Sequence, residues 1–248
     1  MKVILVGYGR MGKMIEELLA PRTDVEILGA VSPGLYESPW DVPGKPDAII
    51  DFSYPGNLEN TLARAEDAAS AVILGTTGLT AEQVERVRAA AKRVPVVFDA
   101  NFSLGVAVLR KALAQVGPLL LKCGFDAEIV ETHHNRKADA PSGTAKALLR
   151  AIDPAGEYAT VYGREGFTGA RGREIGVHAV RGGTVAGEHR ALFFGEDETL
   201  EFRHSAASRR IFAAGAVRAL DFAAGRAPGL YRVDDVLGLN DIRGGENP

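Results

Sequence analysis

Short apolar runs alternate with longer amphipathic stretches from Met1 to about Ser103. The runs "KVILV" (2–6), "VEILGAV" (25–31), "DAIIDF" (47–52), "AVILG" (71–75) and "VPVVFDA" (94–100) are rich in β-branched residues and predict strands. Between them, "RMGKMIEELLA" places Met11, Ile15, Leu18 and Leu19 on one face of a helix. "TAEQVERVRAAAKRV" opens on Thr80 three residues before Gln83, the spacing of a capping box. Strand, helix, strand in this rhythm predicts a parallel, doubly wound sheet, a class that takes ligands at the carboxyl ends of its strands.

The pattern changes after Ser103. "GVAVLRKALAQVGPLLLKC" (105–123) predicts a long apolar helix with an irregularity at Gly117-Pro118. "DAEIVETHH" follows as a strand and "SGTAKALLRAI" as a helix. From about Arg173 to His204 the runs "EIGVHAVRG", "VAGEHRALFFG" and "ETLEFRHSA" are separated only by Gly-rich turns and predict antiparallel pairs. From Arg210 the chain returns to helix with "RIFAAGAVRALDFAAG" and ends in a short tail containing "YRVDDVLGL". The expected fold class is α/β: an N-terminal Rossmann-type doubly wound parallel sheet plus a second, α+β domain with an open mixed or antiparallel sheet. The expected divisions are 1–104, 105–209, and a segment 210–248 that returns to the first domain.

Composition narrows the functional class without naming it. The 248 residues are 46% hydrophobic and 25% charged, ordinary values for a globular protein. A net charge of -3 gives no general electrostatic reason to bind nucleic acid. Positive charge gathers locally at Arg136 and Lys137, at Arg171 and Arg173, and at Arg209 and Arg210, where solvated surface is the plain reading. No uninterrupted apolar run approaches the roughly 18 residues of a membrane span. The apolar N-terminal run leads into a glycine motif rather than a cleavage site, so a cytoplasmic protein is expected. The single cysteine, Cys123, excludes an internal disulfide and is expected to be a small buried hydrophobe.

"GYGRMG" follows the first predicted strand and opens the first predicted helix. Gly7 permits the tight turn, Gly9 lets backbone approach a pyrophosphate, and Gly12 allows close helix packing, with free N–H groups at the helix start facing the phosphates. Tyr8, Arg10 and Met11 complete this candidate NADH- or NADPH-binding loop. The acidic residue that usually ends the second strand and holds the ribose of NAD is missing, and Ser32 stands near that place. Cofactor choice is therefore open, with dual use of NADH and NADPH expected. Loops at Gly75, Thr76 and Thr77, and at Asp99, Ala100, Asn101 and Phe102, should lie over the same strand ends.

The segment "ETHHNRKADAPSGTA" (131–145) concentrates a second chemistry. Neighbouring strand residues face opposite ways, so His133 and His134 serve one pocket only if the strand ends there. Histidine titrates near neutrality and lysine can do so when desolvated, which makes His133 and Lys137 candidate proton donors to a reduction. Pro141 suits a first helical turn, after which unpaired N–H groups of Ser142, Gly143 and Thr144 would make a carboxylate site. Taken singly, each residue is as readily a surface or capping residue; together, after a strand, they point to a pocket that donates a proton and binds an anion. Neither a helical H-E-x-x-H nor a cysteine pair accompanies the histidines, so no metal is expected.

These residues, with "VGYGRMG", "GTTG", "ANFSLGV", "REGFTGAR", "IGVHAVRGG", "VAGEHRALFFG" and "HSAASR" in order, resemble the dihydrodipicolinate reductase family over nearly the whole chain. The resemblance implies His133 as proton donor or acceptor and Lys137 as a second proton donor. It also implies that His134, Gly143 and Thr144 contact a small dicarboxylate, and that a homotetramer forms through the sheets of the second domain. The implied activity is NAD(P)H-dependent reduction of 4-hydroxy-tetrahydrodipicolinate on the route to diaminopimelate and lysine. Two other readings stand beside it: another reductase of a small amino or imino acid, and a non-catalytic NAD(H) sensor. The stretch from Pro33 to Lys45 is shorter than in many relatives.

Overall fold

A computed structural model describes residues 1–240 and divides the chain into two compact units, one of residues 1–104 with the segment from Arg210 onward, the other Gly105–Arg209. In the first unit, β1 (Lys2–Val6), β2 (Glu26–Val31), β3 (Ala48–Asp51), β4 (Ala71–Leu74) and β5 (Pro95–Phe98) form a parallel sheet. Helices α1 (Arg10–Leu19), α2 (Leu58–Ala68) and α3 (Ala81–Ala90) connect the strands, with a 3-10 turn at Pro55–Asn57. Strands β1, β3 and β4 are buried nearly throughout, as expected of a sheet covered on both faces. Thr80 caps α3, its hydroxyl accepting from the Gln83 N–H while the Gln83 side chain accepts from the Thr80 N–H.

In the second unit, α4 (Leu104–Lys122) leads into β6 (Asp126–His133), α5 (Gly143–Ile152), β7 (Ala159–Val161), β8 (Glu174–Arg181), β9 (Gly187–Phe194) and β10 (Thr199–Ala206). Helix α6 (Arg210–Ala223), strand β11 (Gly229–Tyr231) and helix α7 (Val233–Val236) belong to the first unit, where β11 extends the sheet beside β5. The sheet orders are β11-β5-β4-β3-β1-β2 and β10-β9-β6-β8-β7.

The expected antiparallel pairing of the run 173–204 holds for β9 with β10 but not for β8 with β9. Strand β6 lies between those two, parallel to β8 and antiparallel to β9. Its alternate residues Ala127, Ile129 and Glu131 are buried, and Ala127 and Ile129 pack with Leu148, Ile175, Ala191 and Phe193, so β6 is the strand that must sit centrally. The Gly182-Gly183 turn crosses its end, Gly182 donating to the His133 carbonyl and Asn135 to the Gly183 carbonyl.

Two local expectations are corrected. Helix α4 runs through Gly117-Pro118; Gly117 lets α5 approach, since a Cβ there would stand 2.9 Å from Ile152 Cα. By length and composition α4, with a mean hydropathy of 1.5, could cross a membrane despite Arg110 and Lys111; its residues Leu109, Leu113 and Leu121 instead pack in the core of their unit. Cys123 is exposed, because α4 ends one residue earlier and the chain turns at Gly124 with a φ of 88°.

Candidate active site

In the first unit, Gly7 follows β1 with a φ of 90°, and a Cβ on it would stand 2.6 Å from the Phe52 carbonyl oxygen. A Cβ on Gly12 would stand 2.2 Å from the Gly7 carbonyl oxygen, so the third glycine is what lets α1 close onto the loop. Gly9 is the N-cap of α1, no side chain caps it, and nothing lies within 4 Å of where its Cβ would be. An exposed glycine cap with open space before it and the helix N–H groups behind it fits a dinucleotide pyrophosphate. Arg10 is exposed at the helix start and Met11 half-buried. The Tyr8 hydroxyl donates to Glu16 on α1.

The loops after β3 and β4 are tied together by Asp51, a fully buried residue that the sequence pattern does not single out. Its carboxylate accepts from the Ser53 N–H and hydroxyl, the Thr61 hydroxyl and the Thr76 hydroxyl. Burial pushes the Asp51 carboxyl up, a shift that these four donors only partly offset. The Thr76 hydroxyl is thus committed to the protein and the residue is buried, whereas Thr77 is exposed. Gly75 faces the Phe52 ring, 2.2 Å from where a Cβ would be. Phe102 is buried, packed edge-on against Phe52 at 5.2 Å. Asp99 accepts from Asn101 N–H at 3.4 Å, Asn101 accepts from Ser103 N–H at 2.8 Å, and Ala100 is exposed. Ser32 begins a tight turn, its N–H donating to Tyr36 and its carbonyl accepting from Leu35.

In the second unit, β6 ends at His133, so His134 escapes the strand alternation that would have turned it away. The Lys137 N–H donates to the His134 carbonyl, and the Lys137 ammonium pairs with Asp139 at 2.7 Å. Arg209 Nη2 donates to His134 Nε2 at 3.2 Å. A guanidinium has no acceptor, so His134 Nε2 carries the lone pair and its proton sits on Nδ1, which is buried without a partner. Burial, then the charges of Arg209, Arg136, His133 and Lys137, hold the His134 pKa below its ordinary value and keep the ring neutral.

Helix α5 begins one residue later than expected. Pro141 precedes the helix, and Ser142 is its N-cap, the hydroxyl accepting from the Ala145 N–H at 3.1 Å. The Ser142 N–H is not free for a ligand, because it donates to Glu131 Oε1 at 2.9 Å. Gly143 is exposed, with nothing within 4 Å of its Cβ position, and Thr144 is half-buried beside it. Ser142 Oγ also lies 3.2 Å from His189 Nε2, and the His189 ring stands edge-on to His133 at 5.1 Å. Burial, ahead of the His133 charge, lowers the His189 pKa to about 4.

Glu131 and Arg181 were missed as members of this site, and the contact of Ser142 with His189 was not foreseen, because Arg181 meets Glu131 and His189 meets Ser142 across chain separations of 50 and 47 residues. The signal that was present is local: Glu131 and His133 stand two apart on one strand and share a face. Of the other basic clusters, Arg171 is engaged with Glu128 and Asp126, and Arg173 with Glu157, so both belong to surface ion pairs.

Residues 1–102 match the family model for the N-terminus of dihydrodipicolinate reductase, and residues 105–237 the model for its C-terminus. The chain is 40% identical to the 4-hydroxy-tetrahydrodipicolinate reductase of Exiguobacterium sp., over 95% of each chain. It is 42% identical to the protein of that name from Pseudomonas fluorescens, covering 96% of this chain and 98% of the other. In fold it is similar to the dipicolinate-bound dihydrodipicolinate reductase from Paenisporosarcina sp. TG-14, with a TM-score of 0.75 at 22% identity over 98% and 99% of the two chains.

Proposed function

This chain belongs to the dihydrodipicolinate reductase family, and on that premise we propose how its residues carry the family's reaction. It is an NAD(P)H-dependent oxidoreductase whose relatives reduce 4-hydroxy-tetrahydrodipicolinate, a step of diaminopimelate and lysine biosynthesis. The observation that carries the proposal is the end of β6 and the loop after it, where His133, His134 and Lys137 follow one another closely, Arg209 reaches His134, and the open start of α5 at Gly143 comes a few residues later.

The substrate is a cyclic dicarboxylate. Lys137, exchanging Asp139 for a substrate carboxylate, and the start of α5 at Gly143 and Thr144 hold one anionic end, where helix N–H groups favour negative charge. His134, kept neutral beside Arg209, contacts the substrate from the same loop. His133 and Lys137 move the protons that accompany loss of the ring hydroxyl as water and uptake of hydride. When bound, the nicotinamide supplies that hydride.

The dinucleotide is held by Gly7, Tyr8, Gly9, Arg10, Met11 and Gly12, by Gly75, Thr76 and Thr77, and by Asp99, Ala100, Asn101 and Phe102, with Ser32 near the adenosine ribose. Since Ser32 brings no carboxylate against a 2'-phosphate, both NADH and NADPH serve. The homotetramer and the cytoplasmic location that the family suggests are part of the same proposal, the former checked by light scattering.

The test couples the protein to a synthase that makes the substrate from pyruvate and aspartate semialdehyde, and follows oxidation of NADH and NADPH separately. Synthase-dependent oxidation is expected with both, and should fall about 100-fold or more in His133→Gln and in Lys137→Gln. Near-normal turnover in both variants would remove the assigned roles. Cofactor binding without oxidation would favour the sensor, and oxidation only with other imino acids a different reductase.

A further inference from the structure

The proton-transfer scheme gives the buried carboxylate of Glu131 no part, yet Glu131 touches three pieces of the site at once. It is fully buried on β6. Oε2 lies 2.5 Å from His133 Nδ1, Oε1 accepts the Ser142 N–H at 2.9 Å, and the Arg181 fork donates to both oxygens at 2.9 and 2.8 Å. We propose that Glu131 is a positioning residue which, together with Gly187, restricts His133 to exchanging protons through Nε2 alone. The inference rests on the reading of His133 as a proton-transfer group.

A guanidinium and a backbone N–H only donate, so three of the four contacts on this carboxylate require it to accept. Burial by itself would raise the Glu131 carboxyl; Arg181, His133 and the Ser142 N–H outweigh it and hold the group below the usual range. An ionised acceptor therefore faces Nδ1, and the proton between them belongs to the ring. Neutral His133 then presents Nε2 as a bare lone pair.

That second nitrogen looks toward Gly187, where a Cβ would stand 3.1 Å from it. Glycine leaves Nε2 uncovered; a side chain would lie on it. The charged and titratable groups facing the ring from the surrounding elements do not compete for Nδ1. Arg181 on β8 is spent on Glu131, His189 on β9 is neutral and edge-on, and on the loop after β6 Asp139 is paired with Lys137 beside His134 and Arg136. Among the described residues, Glu131 is the carboxylate within hydrogen-bond distance of this ring.

The experiment records ring 15N shifts of His133 in the full-length labelled protein, with kcat and KM measured separately for Glu131→Gln, Glu131→Asp and Gly187→Ala. Wild type should show the Nδ1-protonated tautomer. Glu131→Gln, whose amide can donate as well as accept, should mix the tautomers and lower kcat about 100-fold with KM changed less than about threefold. Glu131→Asp should recover part of kcat. Arg181→Gln, which removes another arm of the same carboxylate, should lower thermal stability yet keep the Nδ1 tautomer.

An Nε2-protonated ring in wild type overturns the proposal, and that spectrum stands even if Glu131→Gln does not fold. Unchanged tautomer and kcat in a folded Glu131→Gln protein overturn it as well, leaving Glu131 a structural brace. Near-wild-type turnover in His133→Gln is a separate failure, that of the underlying role of His133, whatever its tautomer.

Discussion

Ser142→Ala removes one oxygen and should cost more than a helix cap. The Ser142 hydroxyl accepts the Ala145 N–H at 3.1 Å and stands 3.2 Å from His189 Nε2, in a residue only 2% exposed. Losing the cap costs about 1 kcal/mol. Leaving a buried imidazole nitrogen without its partner adds roughly 1–3 kcal/mol, and His189 Nδ1 has no other bond to fall back on. The sum, about 2–4 kcal/mol, corresponds to a fall in the thermal midpoint on the order of 4–16 °C for a chain of this size. In a His189→Phe background the same substitution should cost only the cap, so a double-mutant cycle should return a coupling of roughly 1–3 kcal/mol. Thermal scans of the four proteins measure this. Strict additivity, or a loss below about 0.5 kcal/mol in Ser142→Ala alone, would refute the idea that one hydroxyl serves both the cap and the imidazole.

Gly9→Ala should leave thermal stability unchanged, since its Cβ meets nothing, yet weaken NADH binding at least about tenfold by fluorescence titration, because the methyl stands where a phosphate approaches. Gly12→Ala should lose both stability and binding, its Cβ being 2.2 Å from the Gly7 carbonyl oxygen; normal stability there would contradict the close packing of α1. The depressed His189 pKa means that the unfolded chain takes up a proton between pH 6.5 and about 4 that the folded chain refuses. Stability is therefore lost as pH falls through that window, and His189→Phe should flatten this part of the urea-midpoint profile. Glu128, half-buried but held at about 2 by Arg164, His178 and Arg171 against the opposing effect of burial, contributes stability above the ordinary glutamate pKa that is lost as pH falls from about 4.5 toward about 2. Glu128→Gln should remove that acid limb.

Much of the first unit is legible because its parallel strands are continuous β-branched runs and its glycine loop follows one of them directly. Helix α2 is not evident in the pattern: "LENTLARAEDA" follows a 3-10 turn with no side-chain cap, and its buried face is small, with Thr61, Ala65 and Ala68 beside Leu58 and Leu62. Strand β11 is three residues long and exists because β5 offers it an edge, a non-local fact. The same limit applies to β8 and β9, whose turn looks like a hairpin while β6 takes the place between them. Within the site, His133, His134 and Lys137 announce themselves by type and spacing. Glu131 lies in the same segment, but its meaning comes from Arg181 and Ser142, which the fold brings to it.

The account stands most directly on the product. Incubating the protein and the synthase with pyruvate, aspartate semialdehyde and NADH carrying deuterium at both C4 positions makes the outcome independent of which face delivers. Mass spectrometry should then show tetrahydrodipicolinate one mass unit heavier than with ordinary NADH, formed only when both proteins are present. Unlabelled product, or none while NADH remains demonstrably bound, would contradict the claim that this chain delivers hydride to that ring.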